Sequence, residues 1–177
     1  MKEGLVLAHD WFPRPLPGNV SLGERSWWYS SFGCLHYRSR RPRGVTVGKD
    51  TGIYHGTFFD LGPDGEVEIG DFCTVVGAII STNSRVIIRD YVFIAHEVVI
   101  ADSWAAMPWG TGRGAPARSA REITIGANSW IGARAVLLPG ASIGEGAIVG
   151  AAAIVDFPVP PLATAAGNPA RVVERKR

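Results

Sequence analysis

Two of the four histidines in this 177-residue chain stand in the same relation to an isoleucine. His55 follows Ile53 by two residues, and His96 follows Ile94 by two. A neutral imidazole held on a protein surface can take the proton from a hydroxyl or amine as it attacks an electrophilic carbon. Backbone N–H groups of a turn can hold the oxyanion that develops. Whether the two side chains lie together depends on the elements that carry them.

Those elements follow from a repeat. From Ile123 to Val155 one six-residue unit recurs without a break: ITIGAN, SWIGAR, AVLLPG, ASIGEG, AIVGAA and AIV. The aliphatic position returns at Ile125, Ile131, Leu137, Ile143, Val149 and Val155, and a glycine follows four of these. A helix would repeat every 3.6 residues and an ordinary strand every two, so a period of six describes short strands separated by tight turns. Three units close one triangular coil, stacked on its neighbours about 4.8 Å apart with the aliphatic residues inside. With 22 Gly and 12 Pro, the composition suits an all-β, turn-rich solenoid. The expected fold is a parallel β-helix with one long protruding loop and a short C-terminal tail.

Carried upstream, the aliphatic position resumes at Ile100, Ile94 and Ile88. After one extra residue it continues at Ser81, Val75 and Ile69. A four-residue turn from Pro63 to Glu66 separates these from Phe59, Ile53 and Val47. Leu22, Trp28 and Cys34 form a degenerate first coil, atypical as a capping repeat is. The whole is one domain: an irregular cap and first coil over 1–44, coils over 45–102, a loop over 103–122, coils over 123–158 and a tail over 159–177. Two residues after the aliphatic position a side chain points outward. On one face these residues are His55, Gly77, His96, Ala133 and Ala151. The two histidines are thus expected two coils apart, roughly 10 Å, with glycine between them and small residues beyond. His36 falls on the neighbouring column and His9 outside the coils. Asn83 and Asp102 lie on the adjacent column, where they can orient an acceptor or an imidazole. His96, at the edge of the small-residue stripe and one unit before the loop, is the first choice for a general base, and His55 is the second.

The loop SWAAMPWGTGRGAPARSARE carries Trp104, Met107 and Trp109, which the coil has no means to bury. Loops this long are commonly functional, and burial of these side chains implies a partner chain.

The repeat, together with the ending AGNPARVVERKR, resembles the hexapeptide-repeat acyltransferases, among them the galactoside and maltose O-acetyltransferases and the xenobiotic acetyltransferases. The resemblance implies a left-handed β-helix, a homotrimer and acetyl-CoA as acyl donor. It also implies acetyl transfer to a hydroxyl or amine of a sugar, glycolipid or small molecule. The pantetheine arm would lie between subunits along Gly77, Ala133 and Ala151. Arg171 would match the basic residue near the coenzyme's phosphate, with Arg134 beside the stripe as a second anchor. The alternative for Arg171 is a solvated tail. The chain departs from the family twice. The stretch ADSWAAMPW holds no histidine where those enzymes keep theirs, so His96 is proposed from register. Asp156, Phe157 and Pro158 stand where a Thr-Lys-Asp segment is usual, so that lysine is absent; Phe157 either stacks on adenine or caps the last coil. Two other readings share the coil. A γ-carbonic-anhydrase-like metalloenzyme would need a second histidine five residues after His96, where Ala101 stands, and no metal is expected. A trimeric scaffold without catalysis would fail to bind acetyl-CoA.

Eighteen basic against sixteen acidic residues give a net charge of +2, which points neither to nucleic acid nor to a membrane surface. Cys34 and Cys73 have no CxxC spacing, no apolar run is long enough to span a bilayer, and the start does not read as a leader. A reduced cytoplasmic protein without membrane insertion is therefore expected. The run YRSRRPRG, with Arg38, Arg40, Arg41 and Arg43, either receives an acidic or phosphorylated acceptor or is solvated. Only Tyr37 accompanies it, too little aromatic surface for nucleic acid.

Overall fold

The computed structural model describes residues 4–102 and 122–173. Among these residues twenty strands of two to four residues stack into three sheets, the sides of a triangular prism. Sheet I runs Val20–Leu22, Val45–Val47, Glu66–Ile69, Arg85–Ile88, Ile123–Ile125, Ser142–Ile143 and Pro158–Val159. Sheet II runs Trp27–Trp28, Gly52–Ile53, Thr74–Val75, Phe93–Ile94, Trp130–Ile131, Ile148–Val149 and Thr164–Ala166. Sheet III runs Phe58–Leu61, Ile79–Thr82, Val99–Ala101, Val136–Leu137 and Ile154–Val155. All these neighbours pair in parallel, so each coil passes through sheets I, II and III in turn.

The inward position of each strand builds the core. In sheet II Ile53, Val75, Ile94, Ile131 and Val149 pair in register, each at most 1% exposed. Full burial of such a side chain stabilises by about 1.5–3 kcal/mol. A column of them explains why two-residue strands persist at all.

The register departs from the sequence reading at one place. Ile80, not Ser81, pairs with Phe59 and Ile100 and fills the core. The turn before it is one residue shorter, because Gly77 at φ +60° takes the left-handed position that Gly56, Glu97, Arg134 and Ala152 take one residue later in their coils. Glycine adopts that conformation without steric cost, so the chain closes early there. The spare length is spent at Asn83 and Ser84, between Ile79–Thr82 and Arg85–Ile88.

The first coil is degenerate as expected. Leu22 pairs with Val47 and Trp28 with Ile53, but the third side is a 3₁₀ helix, Ser31–Cys34, rather than a strand. Burial pushes the Cys34 thiol up to about 12, which makes it a packing group and not a nucleophile. The preceding cap is pinned from two points. His9 stacks on Trp27 with ring centroids 4.0 Å apart, and its Nε2 lies 3.0 Å from the Trp28 carbonyl oxygen. The Asp10 carboxylate accepts from Ser30 Oγ (2.7 Å), from Ser31 N–H and Oγ (2.6 Å each) and from Phe12 N–H (3.0 Å). Desolvation opposes its charge, but these bonds, led by Ser31, hold the carboxyl down at about 2. At the other end, Arg171–Val173 folds back antiparallel on Thr164–Ala166 and closes sheet II. The coil thus continues past residue 158, through Pro158–Val159 and Thr164–Ala166.

Candidate active-site edge

The column of outward residues lies on the edge where sheet II turns into sheet III. Backbone bonds stack its turns: Glu97 N–H donates to the Gly77 carbonyl (3.0 Å), Arg134 N–H to that of His96 (2.9 Å), and Ala152 N–H to that of Ala133 (2.9 Å). His55, His96 and Ala151 are exposed and Ala133 is half-buried. Gly77 lies directly between the histidines, since a Cβ placed on it would stand 3.4 Å from the His55 carbonyl oxygen and 3.9 Å from His96 Cα. With no side chain there and a turn one residue short, the edge has a notch between its two imidazoles. A groove of about 390 Å³ beside the two histidines is lined by Tyr29, Tyr54, His55, Thr74, Val76 and His96.

The structure brings His55, Gly77, His96, Ala133, Arg134 and Ala151 onto one edge, and Arg171 onto the strand paired with Ala166 at its C-terminal end. Arg134, however, is turned to Glu97, with Nε 2.6 Å from Oε2. The Glu97 carboxylate raises its pKa, and Nε is engaged within the chain in a largely exposed pair.

Asn83 and Asp102 are elsewhere. Both sit where sheet III turns back into sheet I, the full width of sheet III from the histidines. Six extended residues from His96 to Asp102 span up to about 20 Å. Neither can orient the imidazole of its own chain. Asp102 is fully buried and accepts from the Thr82 hydroxyl, from Ser84 N–H (2.8 Å) and from Asn83 N–H (3.2 Å), tying down the long turn. Asn83 Oδ1 accepts from Asp64 N–H at 3.1 Å and fixes the turn of the preceding coil. The Asp102→Ala variant is expected to lose about 1–3 kcal/mol of stability, since the buried Thr82 hydroxyl and two part-buried N–H groups lose their acceptor. A thermal melt reads that loss. Unchanged stability with lost activity would restore a chemical role.

Counting from the aliphatic position passed over Tyr29 and Tyr54. They stand one residue after Trp28 and Ile53, and both side chains flank His55, Tyr29 with its ring centroid 5.1 Å from the imidazole in an edge-on arrangement. The signal was available, because the same register that finds His55 puts Tyr54 beside it. Trp104, Met107 and Trp109 lie outside the described residues. Among the described residues no three His, Cys, Asp or Glu side chains gather as a metal site, and no helix is long and apolar enough to cross a membrane.

Residues 122–156 match the family model described as bacterial transferase hexapeptide (six repeats). Residues 122–156 thus carry a hexapeptide repeat of the bacterial transferase type. It is 33% identical over 130 residues to the galactoside O-acetyltransferase of Escherichia coli (strain K12), covering 73% of this chain and 63% of that one. To a chloramphenicol acetyltransferase of Escherichia coli it is 30% identical over 143 residues, covering 71% and 63%. An acetyltransferase relative in Staphylococcus aureus (strain MRSA252) matches at 45% over 53 residues, 30% of this chain and 27% of its own length. The chain thus spans less than two thirds of the curated relatives it matches. Among solved structures, a galactoside acetyltransferase in complex with coenzyme A aligns with a TM-score of 0.56 at 26% identity, over 88% of this chain and 64% of that one. An N-acyltransferase from Bacillus cereus in complex with dTDP and coenzyme A aligns with a TM-score of 0.67 at 17% identity, over 88% and 84%. The all-β parallel solenoid therefore matches the left-handed β-helices of these hexapeptide-repeat proteins.

Proposed function

We propose that the chain is an acetyl-CoA-dependent acetyltransferase that acts as a homotrimer along the edge between sheets II and III. The observation that carries this reading is the continuity of that edge: two exposed imidazoles around a glycine notch, then Ala133 and Ala151 without bulk, then Arg171. A thin pantetheine arm fits such a stripe, and the glycine cradle is a place a Cβ would narrow. The related proteins solved with coenzyme A support the donor. In the reaction the acceptor oxygen or nitrogen bonds to the acetyl carbonyl carbon and the C–S bond breaks. His96 takes the acceptor's proton and returns it to the departing sulfur, leaving an ester or amide and free coenzyme A. Arg171 supplies charge for phosphate, which a guanidinium fits bidentately.

The faces on either side of the edge support the trimer. Outward on sheet II stand Trp27, Phe93 and Trp130, 42–49% exposed, and outward on sheet III stands Ile79 at 43%. Sheet I presents Thr46, Glu68, Thr124 and Ser142 instead, with Glu68 in ion pairs to Arg85 (2.7 Å) and Arg89 (3.5 Å). A closed ring of like subunits joins two different patches on each, and two apolar faces meeting at one edge supply them. Light scattering is expected to give a mass near three chains, and acetyl-CoA with a suitable alcohol or amine is expected to release free thiol. A stable monomer with no thiol release across sugar, aryl and amine acceptors would remove this reading.

A further inference from the structure

Above the notch, between the cap and the first coils, lies a cavity of about 420 Å³ that shares His55 with the acyl-transfer edge. Its walls are aromatic. Trp11 and Phe32 stand 5.4 Å apart and Phe32 and Phe58 5.7 Å apart by ring centroids, with Trp28 and Ile53 also in the lining. No Asp, Glu, Lys or Arg side chain lines it.

Its polar groups are sorted. Trp28 Nε1 donates to the Ser30 carbonyl (3.0 Å), Ser30 Oγ to Asp10 (2.7 Å), and Thr57 Oγ1 accepts from Gly77 N–H (3.1 Å). His55, Tyr29 and Tyr54, all on the side that also lines the groove toward His96, make no side-chain hydrogen bond among the described residues. An apolar chamber with its free polar groups at one mouth selects an apolar body with one polar end.

We propose that this cavity is the acceptor subsite, and that it takes an uncharged molecule with an aromatic ring whose short arm carries the reacting hydroxyl or amine. The inference rests on the acetyltransferase reading above and adds the substrate class to it. The ring lies against Trp11, Phe32 and Phe58, and the arm passes His55 to the notch at Gly77, where His96 faces it from the next coil. His55 is then a positioning residue, whose hydrogen bond holds the arm. The lining excludes phosphorylated acceptors, because burying such a charge without a partner is costly. The Arg40, Arg41 and Arg43 cluster lines a separate surface depression and has no part in acceptor binding.

Calorimetric titration of the intact trimer tests this with three probes: naphthylethanol, methyl glucoside and glucose phosphate. Naphthylethanol is expected to bind saturably, and the other two at least tenfold more weakly. Trp11→Ala, at a residue 66% exposed, is expected to leave the melting temperature nearly unchanged and weaken naphthylethanol at least tenfold. His55→Gln is expected to raise KM for naphthylethanol more than it lowers kcat. Absence of saturable naphthylethanol binding overturns the inference, and so does equal affinity for the glucoside, or Trp11→Ala binding as wild type. A trimer that falls apart in Trp11→Ala also overturns it, by showing that a second copy of the chain fills the cavity. Binding of naphthylethanol that Trp11→Ala abolishes, in a protein that acetylates no probe, would uphold the cavity and overturn the acetyl transfer instead.

Discussion

Replacing His96 by asparagine is expected to lower turnover by about 10²- to 10⁴-fold while the trimer and its affinity for coenzyme A survive. The side chain is exposed and makes no hydrogen bond among the described residues, so its loss removes a proton acceptor and little stability. His55→Asn should be much milder in kcat, because His55 stands across the Gly77 notch at the cap end. A near-normal His96→Asn beside an inactive His55→Asn would put the base at the cap end of the edge.

The period of six made the prism legible. Every aliphatic position read downstream of Ile123 is in the core, and so are Phe59, Val75, Ile94 and Ile100 upstream. The histidine column was legible for the same reason, since parallel strands in register keep one offset on one edge, although the short turn gives Gly77 the left-handed place that Gly56 and Glu97 hold in their coils. Counting failed at Ser81, because a glycine at positive φ shortens a turn without changing residue type in any way the period records. It also failed for Asp102. A carboxylate beside a loop looks the same in sequence whether it faces a substrate or is buried under three donors, and only the Thr82, Asn83 and Ser84 contacts distinguish the two. The aromatic cavity was not legible, because it is assembled from residues of the cap, the 3₁₀ helix and two coils, which no periodicity links. The 3₁₀ side of the first coil escaped for a related reason: a terminal coil has a neighbour on one side only, and the Asp10 and Ser30 caps decide its shape.

The second large effect concerns the donor groove. At a hundredfold excess over its dissociation constant, coenzyme A should stabilise the wild-type trimer by about 2.7 kcal/mol. Ala133 lies mid-stripe with its side chain outward, while the core beneath is filled by Ile131 and Ala135. An indole there would block the path proposed for the pantetheine arm without entering the prism. Arg171→Ala should weaken coenzyme A by about 1.5–3 kcal/mol through loss of a charged hydrogen bond, leaving the stripe open. The thermal melt of Ala133→Trp with and without coenzyme A is the most direct test of the edge as the site of acyl transfer. A trimer that melts near the wild-type temperature and gains nothing from coenzyme A is the expected result. Stabilisation of that variant equal to the wild type would contradict it and place the donor on another face of the prism.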